Sequence, residues 1–303
     1  MVGSPASVVS AEHLSKTYGS DRGVVELDFE VEAGEVFGYL GPNGAGKTTT
    51  IRLMLDLIRP SSGRVRLFGL DARREGPQAR ARVGYLPGDL RLYERLTPRE
   101  HLRYFASLRG MRDLGDGEQL AERLDLELDR PIKALSKGNR QKVGLVQALM
   151  HRPALAVFDE PTSGLDPLVQ QVVYELVRET TADGRTVFVS SHVLSEVQHI
   201  ADRVALIRDG RLELVDTVET LRQRALTRVE VTFGETPPAG TFDAVQGVRE
   251  VGRNGRVVHL TLEGSADPLV KALARYEVHG LDSHEADLED VFLELYRGTP
   301  GAP

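Results

Sequence analysis

The sequence of 303 residues contains no cysteine. Its absence excludes disulfide bonds and metal sites built from thiolates, and it agrees with a reducing compartment. Long apolar runs are also missing, because no stretch approaches the roughly 18 apolar residues of a membrane-spanning helix. The first residues, 1–5, do not have the pattern of a secretion signal. We therefore expect a protein that is made and kept in the cytosol.

Basic residues are in deficit. The sequence has 38 Lys and Arg against 45 Asp and Glu, which gives a formal net charge of −7. Such a chain is a poor non-specific binder of nucleic acid, so we expect no nucleic-acid partner. The hydrophobic and charged fractions, 41% and 27%, are those of a globular protein. The length allows one large domain or two ordinary ones.

The most informative stretch is Gly-Pro-Asn-Gly-Ala-Gly-Lys-Thr at residues 41–48. It follows the apolar run 35–40, a predicted strand, and it precedes residues 49–58, whose apolar positions recur at helical spacing. Strand, glycine loop and helix are the context in which this motif binds a nucleoside triphosphate, whereas a chance glycine turn is the alternative. The predicted nucleotide-binding residues are Gly41, Asn43, Gly44, Ala45, Gly46, Lys47, Thr48 and Thr49.

The residue types of this loop suit the chemistry of a triphosphate. Its glycines let backbone N–H groups approach the phosphates closely, and the helix that follows presents more N–H groups at its N-terminus. Lys47 is predicted to reach the β and γ phosphates, and the Thr48 hydroxyl is predicted to bind Mg²⁺. ATP and Mg²⁺ are therefore the expected cofactors.

Two adjacent carboxylates, Asp159 and Glu160, end a second apolar run at residues 154–158. Alternation along a strand directs the two side chains differently. We assign Asp159 to Mg²⁺ and Glu160 to the water that attacks the γ phosphate. Acids that merely cap a strand are the alternative.

Ser136 and Gly138 stand at the start of a predicted helix that runs to about residue 150. A serine cap followed by a glycine is again an anion-binding arrangement of N–H groups. One site needs only one such cradle from its own chain, so the second is expected to face the γ phosphate of nucleotide on another subunit. An ordinary helix cap is the alternative.

His192 follows a third apolar run, at residues 186–190. Ligands of an open α/β sheet gather at strand ends, so His192 is predicted to contact the γ phosphate and to hold the water together with Glu160. A structural histidine is the alternative.

The order of elements predicts an α/β fold: a mainly parallel sheet of P-loop NTPase type, a helical subdomain at about 88–150 and a small α+β domain at 228–303. A turn is expected at 15–19. The next strand is expected to bury one face, which consists of Val25, Leu27, Phe29 and Val31. A capping box is expected at Thr97 and Glu100, and the helix that it starts has an apolar stripe of Leu102, Phe105 and Leu108. The other predicted strands cover 64–68, 83–86 and 203–207, and the other predicted helices cover 118–124, 169–181 and 193–200.

The C-terminal part has a different pattern. Asn254-Gly255 predicts a hairpin between alternating strands. A linker helix is expected at 218–227, and two further helices are expected at 267–276 and 287–296. The last has Leu288, Val291, Phe292 and Leu295 on one face.

With these motifs in place, residues 6–217 resemble the nucleotide-binding domain of an ATP-binding cassette (ABC) transporter. Residues 41–48 match its Walker A motif, residues 135–141 its signature, residues 155–160 its Walker B, residues 163–166 its D-loop, and His192 its switch histidine. The resemblance implies a homodimer, or a heterodimer with a like subunit, that closes over two ATP molecules, with Tyr18 against the adenine and Asp166 near the nucleotide. It also implies separate transmembrane permease subunits and a peripheral position on the inner face of the cell membrane.

The segments 135–142 and 288–293 look like the daunorubicin-resistance type of bacterial drug exporter ATPase. This implies export of a small drug-like or lipophilic compound, with a soluble ABC-type ATPase that has no transport role as the alternative. Lys137 and Asn139 depart from the usual signature, which has glycine and glutamine there. Gly88 stands where the family has a glutamine that contacts Mg²⁺ and water, so either Asp89 or a water molecule is expected to take its place.

Overall fold

The computed structural model describes residues 7–19, 21–224 and 227–284. The chain divides into two compact units, Met1–Asp216 and Thr217–Pro303. Among the described residues, no helix has the length and the apolar character that crossing a membrane requires.

The helices and strands of the first unit are named in chain order. The strands are β1 Ser7–Tyr18, β2 Asp21–Glu32, β3 Val36–Leu40, β4 Ser62–Leu67, β5 Leu70–Asp71, β6 Val83–Leu86, β7 Leu155–Asp159, β8 Thr186–Ser191, β9 Arg203–Arg208 and β10 Arg211–Thr217. The helices are α1 Lys47–Met54, α2 Gly76–Ala81, α3 Pro98–Leu108, α4 Gly117–Arg123, α5 Lys137–Leu149, α6 Pro167–Ala182 and α7 Leu194–Ile200.

A six-stranded sheet in the order β10-β9-β3-β8-β7-β6 forms the centre of this unit. The strands from β9 to β6 in this order run parallel to one another. The predicted α/β class is therefore confirmed. Because parallel strands end at the same edge of a sheet, the residues that follow β3, β7 and β8 come together there.

Both faces of the central sheet are covered. Along β7, Ala156 and Phe158 belong to a hydrophobic cluster shared with α3 to α6, whereas Leu155 and Val157 belong to a second cluster shared with α1, β1 and β2. Successive strand residues point to opposite faces, so a strand buried on both sides reads as a continuous apolar run. The second cluster is closed by an antiparallel sheet in the order β2-β1-β4-β5.

The segment 15–19, expected to be a turn, is mostly strand. β1 continues through Tyr18, which pairs with Asp21 at the end of the hairpin, and the chain turns only at Gly19. The prediction was wrong because the segment is mostly polar and partly exposed, so hydrophobic alternation does not mark it as a strand.

The buried face of β2 also differs from the prediction. Glu26 has a φ of 47°, in the left-handed region, and the pairing of β1 with β2 shifts register there. Val24 is buried in consequence, and Val25, the first residue of the predicted face, is only partly buried. The other three predicted positions are buried: Leu27, Phe29 and Val31.

Two helices differ from the prediction, α1 in its end and α3 in its apolar stripe. α1 stops at Met54 and does not reach residue 58, because Asp56 takes a left-handed φ of 55°. α3 begins with the predicted capping box of Thr97. Leu102 is buried on it, but Leu108 at its last turn is 65% exposed, so the predicted stripe was wrong at that position.

The second unit contains α8 Val218–Arg224, β11 Thr227–Phe233, β12 Val248–Asn254, β13 Val257–Leu262, α9 Asp267–Leu273 and β14 Val278–His284. Its antiparallel sheet has the order β12-β13-β11-β14, and Asn254-Gly255 forms the predicted hairpin. α9 ends at Leu273, three residues short of its predicted end at residue 276. Residues 225–226 of the expected linker helix and the whole expected helix 287–296 lie outside the described residues.

We expect Leu102→Ala to lower the free energy of unfolding by about 2–5 kcal/mol, because Leu102 is fully buried between α3 and its neighbours. Leu108→Ala, on the same helix, should change it by less than about 0.5 kcal/mol because that side chain lies in solvent. Urea unfolding followed by circular dichroism measures both. Equal losses in the two variants would contradict this description of α3.

Candidate nucleotide-binding site

The loop 41–46 connects β3 to α1 at the edge where the parallel strands end. Gly46, the residue before α1, has a φ of 111°, which favours glycine strongly. At the other end of the loop, a Cβ on Gly41 would clash with the backbone oxygen of Ile207 in β9. The sequence therefore has glycine at the two positions where the backbone conformation and the neighbouring strand demand it.

Lys47, the first residue of α1, is buried, with only 5% of its surface exposed. Its Nζ donates to the backbone oxygens of Gly41 at 2.7 Å and Pro42 at 3.1 Å. It also lies 3.4 Å from Glu160 Oε1. The ammonium group therefore stands between the glycine loop and the end of β7.

Asp159, the last residue of β7, has both carboxylate oxygens occupied. Thr48 Oγ1 donates to Oδ2 at 2.8 Å, and Ser190 Oγ donates to Oδ1 at 2.6 Å. Ser190, at the end of the predicted strand 186–190, was not predicted to be a site residue. In the parallel register, Ser190 of β8 lies directly opposite Asp159. Pairing the two predicted strands would therefore have identified it.

The Thr48 and Asp159 oxygens suit Mg²⁺, which prefers hard oxygen ligands. No group of three or more His, Cys, Asp or Glu side chains that could hold a metal occurs among the described residues. Mg²⁺ is commonly bound by one or two carboxylates together with substrate phosphates. This pair therefore fits a metal shared with a nucleotide better than an all-protein metal cage.

Glu160 comes directly after β7 with a φ of 53°, a left-handed conformation that costs about 1–2 kcal/mol for a residue with a Cβ. Its N–H donates to the backbone oxygen of Ser190 at 3.1 Å. Its Oε1 lies 3.2 Å from Nδ1 of His192, which is 44% exposed. The structure thus brings the three predicted catalytic side chains together: Lys47, Glu160 and His192.

A third carboxylate of this region, that of Glu196, was missed by the sequence analysis. Glu196 in α7 accepts from Thr162 Oγ1 at 2.7 Å and from Ser191 Oγ at 2.6 Å. It therefore ties the loop after Glu160 to the end of β8. Nothing local in the sequence distinguishes it from the solvent-facing acids of other helices.

The start of α5 has hydrogen-bond partners other than the glycine loop of its own chain. Ser136 caps α5 by accepting from the Asn139 N–H at 3.1 Å. A Cβ on Gly138 would lie 2.9 Å from the backbone oxygen of Gly164. Within the described part of the chain, no hydrogen bond joins Ser136 or Gly138 to residues 41–48.

Asp166 and Tyr18, two further predicted residues, have contacts within the chain. Asp166 caps α6 by accepting from the N–H groups of Leu168 and Val169, both at 3.1 Å. Tyr18 is 49% exposed, and Lys16 Nζ lies 5.2 Å from the centre of its ring. An exposed aromatic ring beside a cation offers a face on which a planar base can stack.

Gly88 lies close to the metal-binding candidates. A Cβ at this position would stand 3.2 Å from Asp159 Oδ2, the oxygen that accepts from Thr48. Asp89 is largely exposed, and its carboxylate lies 3.3 Å from Arg91. Gly88, which has no side chain, is thus the residue next to Asp159. The carboxylate of Asp89 pairs with Arg91 instead.

Tyr85 in β6 adds a neutral hydroxyl near Asp159. Burial raises the pKa of Tyr85 to about 12, the negative charge of Asp159 adds to the rise, and Arg52 acts in the opposite direction. The hydroxyl therefore stays protonated at neutral pH and remains a hydrogen-bond donor.

Comparison with known proteins gives a consistent result. A family model described as ABC transporter matches residues 24–163. The bacitracin transport ATP-binding protein BcrA of Bacillus licheniformis is 30% identical, over 97% of this chain and 98% of that protein. The Nod factor export ATP-binding protein I of Ralstonia nicotianae is 32% identical, over 95% of this chain and 93% of that protein.

Solved structures agree on the fold. An ATP-binding subunit of an ABC transporter is 31% identical with a TM-score of 0.66, over 71% of this chain and 92% of that chain. A dimeric ATP-binding cassette in a post-hydrolysis state bound to ADP and Pi is 23% identical with a TM-score of 0.63, over 69% of this chain and 98% of that chain. The predicted P-loop NTPase core with α/β sheets is confirmed by these neighbours.

We expect Gly88→Ala to lower kcat/KM for MgATP by about three- to tenfold, because the new methyl group displaces the Asp159 carboxylate by a few tenths of an ångström. Asp89→Ala should leave kcat/KM within about twofold of the parent, because Asp89 contacts Arg91 at the surface. Phosphate release measures both. A larger loss in Asp89→Ala than in Gly88→Ala would show that Asp89 takes the place of the missing glutamine.

Proposed function

Since the chain belongs to the family of ABC transporter ATP-binding proteins, we propose that it hydrolyses MgATP to drive export through separate membrane subunits. The observation that carries the proposal is the meeting of Lys47, Glu160 and His192 beside the Thr48–Asp159 pair. One basic, one acidic and one imidazole group then face the space next to a glycine loop. Phosphoryl transfer to water needs positive charge at the phosphates and a group that orients the attacking water.

The glycine loop and Lys47 bind the phosphates in this proposal. Backbone N–H groups of residues 41–48 and the start of α1 surround the β phosphate, and Lys47 bridges the β and γ phosphates. Thr48 Oγ1 and one oxygen of Asp159 would hold Mg²⁺. The ion would supply positive charge that offsets the charge of the phosphates.

Glu160 and His192 prepare the water. The Glu160 carboxylate accepts a hydrogen bond from the water and directs its oxygen toward the γ phosphorus. One ring nitrogen of His192 contacts Glu160, and the other is left to face the γ phosphate. The proton released by the attacking water passes to Glu160, and the leaving group is ADP.

Two copies complete the site. Among the described residues, no hydrogen bond joins Ser136 or Gly138 to the glycine loop of their own chain, so we propose that they supply hydroxyl and N–H groups to ATP bound by a second copy. Asp166 lies in the loop that faces the partner, and Tyr18 stacks on the adenine. The partner is a second copy of this chain or a like subunit.

The membrane subunits dock on exposed aromatic side chains in the helical subdomain. Tyr93 and Tyr104 are 53% and 44% exposed, and their ring centres lie 5.5 Å apart. They line an open groove of about 430 Å³ together with Glu94, Arg95 and Leu96. An apolar groove of this kind suits a short helix from a permease, which would hold the protein at the inner face of the membrane.

The exported compound is small and lipophilic or amphiphilic in our proposal. Relatives of nearly equal length are named for bacitracin transport and Nod factor export. The similarity of residues 135–142 and 288–293 to drug exporter ATPases of the daunorubicin-resistance type also supports this proposal.

Glu160→Gln tests the hydrolytic role. We expect it to lower kcat by about 10²–10⁴-fold while the Kd for ATP changes little, because an amide keeps the shape but cannot accept the proton. With ATP and Mg²⁺ the variant should elute as a dimer in gel filtration, and without Mg²⁺ hydrolysis by the parent should stop. Glu175→Gln, at an exposed position of α6, is the control. Parental hydrolysis by Glu160→Gln would refute the proposed role.

Replacing both Tyr93 and Tyr104 by Ser tests the docking groove. We expect the variant to keep its ATPase activity but to lose co-purification with the membrane subunits encoded beside it, because the apolar contact surface is gone. Leu57→Ser, at another exposed apolar position, is the control and should co-purify normally. Unchanged co-purification of the double variant would place the docking surface elsewhere.

A further inference from the structure

Gln141 is a buried amide that connects two parts of the candidate site. It lies in α5, about one turn after the Ser136 cap, and only 7% of it is exposed. Its Nε2 donates to two consecutive backbone oxygens, at 3.3 Å to Glu160 and at 3.2 Å to Pro161. The side chain therefore joins α5 to the peptide that carries the candidate catalytic carboxylate, 19 residues further along the chain.

The Glu160 peptide needs such support because its φ of 53° is in the left-handed region. A residue keeps a sparsely populated conformation only where its surroundings fix it. On the N–H side, Glu160 contacts the backbone oxygen of Ser190 at 3.1 Å and Ser190 Oγ at 3.3 Å. On the carbonyl side, it accepts from Gln141. The two contacts together determine the direction in which the carboxylate leaves the backbone.

α5 meets the same loop at a second place. Gly138 lies so close to Gly164 that a Cβ would stand 2.9 Å from the Gly164 oxygen, and the aliphatic part of Lys137 packs against Gly164. α5 therefore contacts the segment 160–164 at two places, through Gln141 and through its first two residues, Lys137 and Gly138. A displacement of α5 would be transmitted to that loop.

We propose that Gln141 is a positioning residue for Glu160. Its two N–H hydrogens hold the Glu160 peptide so that the carboxylate faces Lys47 and His192, and they make this orientation depend on the position of α5. The inference rests on the proposed function, because it gives Gln141 a role in the hydrolysis that Glu160 supports. Since α5 begins at the serine cap, the link makes the carboxylate of one nucleotide site respond to the nucleotide held by the other copy.

Gln141→Met is the first test, because methionine has nearly the same length but donates no hydrogen bond. We expect kcat for MgATP to fall at least about tenfold while KM changes by less than about twofold. Gln147→Met is the matched control: Gln147 lies on the same helix, and its Oε1 contacts His101 Nε2 at 2.8 Å. The control should keep kcat within about twofold, with a Tm close to that of Gln141→Met.

A double-mutant cycle separates positioning from general stability. In the Glu160→Gln background, Gln141→Met should change the residual rate by less than about twofold, because the carboxylate that Gln141 orients is gone. A purely structural role would give the same fractional loss in both backgrounds. If Gln141→Met does not fold, Gln141→Glu replaces it, because it keeps the shape of the side chain and loses the N–H groups when ionised. Its loss of kcat is then compared in the two backgrounds in the same way.

The outcomes distinguish this inference from the proposed function. Parental kcat in both Gln141 variants, or an equal fractional loss with and without Glu160, would overturn the role of Gln141 and leave that of Glu160 intact. Parental hydrolysis by Glu160→Gln would overturn the proposed function, and the role of Gln141 would fall with it.

Discussion

Asp159 carries a buried carboxylate whose two oxygens are both held by hydroxyl groups from other segments, Thr48 of α1 and Ser190 of β8. A carboxylate removed from water is costly unless hydrogen bonds replace its hydration, and bonds to a charged acceptor are stronger than neutral ones. These contacts fix the start of α1 and the ends of β7 and β8 relative to one another. The loop 41–46 is positioned in turn, because it is short and anchored at both ends.

A second feature of the site is charge compensation around Lys47. A buried ammonium group is tolerated because two backbone oxygens and the Glu160 carboxylate lie within 3.4 Å of it. A triphosphate would bring oxygens of higher negative charge to the same ammonium group. Phosphate binding would therefore replace existing contacts of Lys47 and would not need a new cationic site. It would also weaken the contact between Lys47 and Glu160.

The parts of the fold and site that the sequence predicted are the local ones. The glycine loop between β3 and α1, the capping box at Thr97 and the hairpin at Asn254 each depend on a few neighbouring residues, and short motifs record them well. The left-handed turn at Asp56 and the strand pairing of residues 15–18 were missed. Their residues are polar or ambiguous, and tertiary pairing decides their conformation. The Gln141 contact joins residues far apart in sequence, so no local pattern could reveal it. The family resemblance pointed to Gly88, but its distance from Asp159 depends on the tertiary structure.

At position 160, the residue that suits the left-handed backbone best differs from the residue that the proposed hydrolysis needs. Glycine there would relieve the conformational penalty of a Cβ, and asparagine would tolerate the conformation better than glutamate does. Either change would remove the carboxylate. Selection for thermal resistance alone would therefore favour glycine or asparagine at position 160, and the role proposed for the carboxylate would account for a glutamate there.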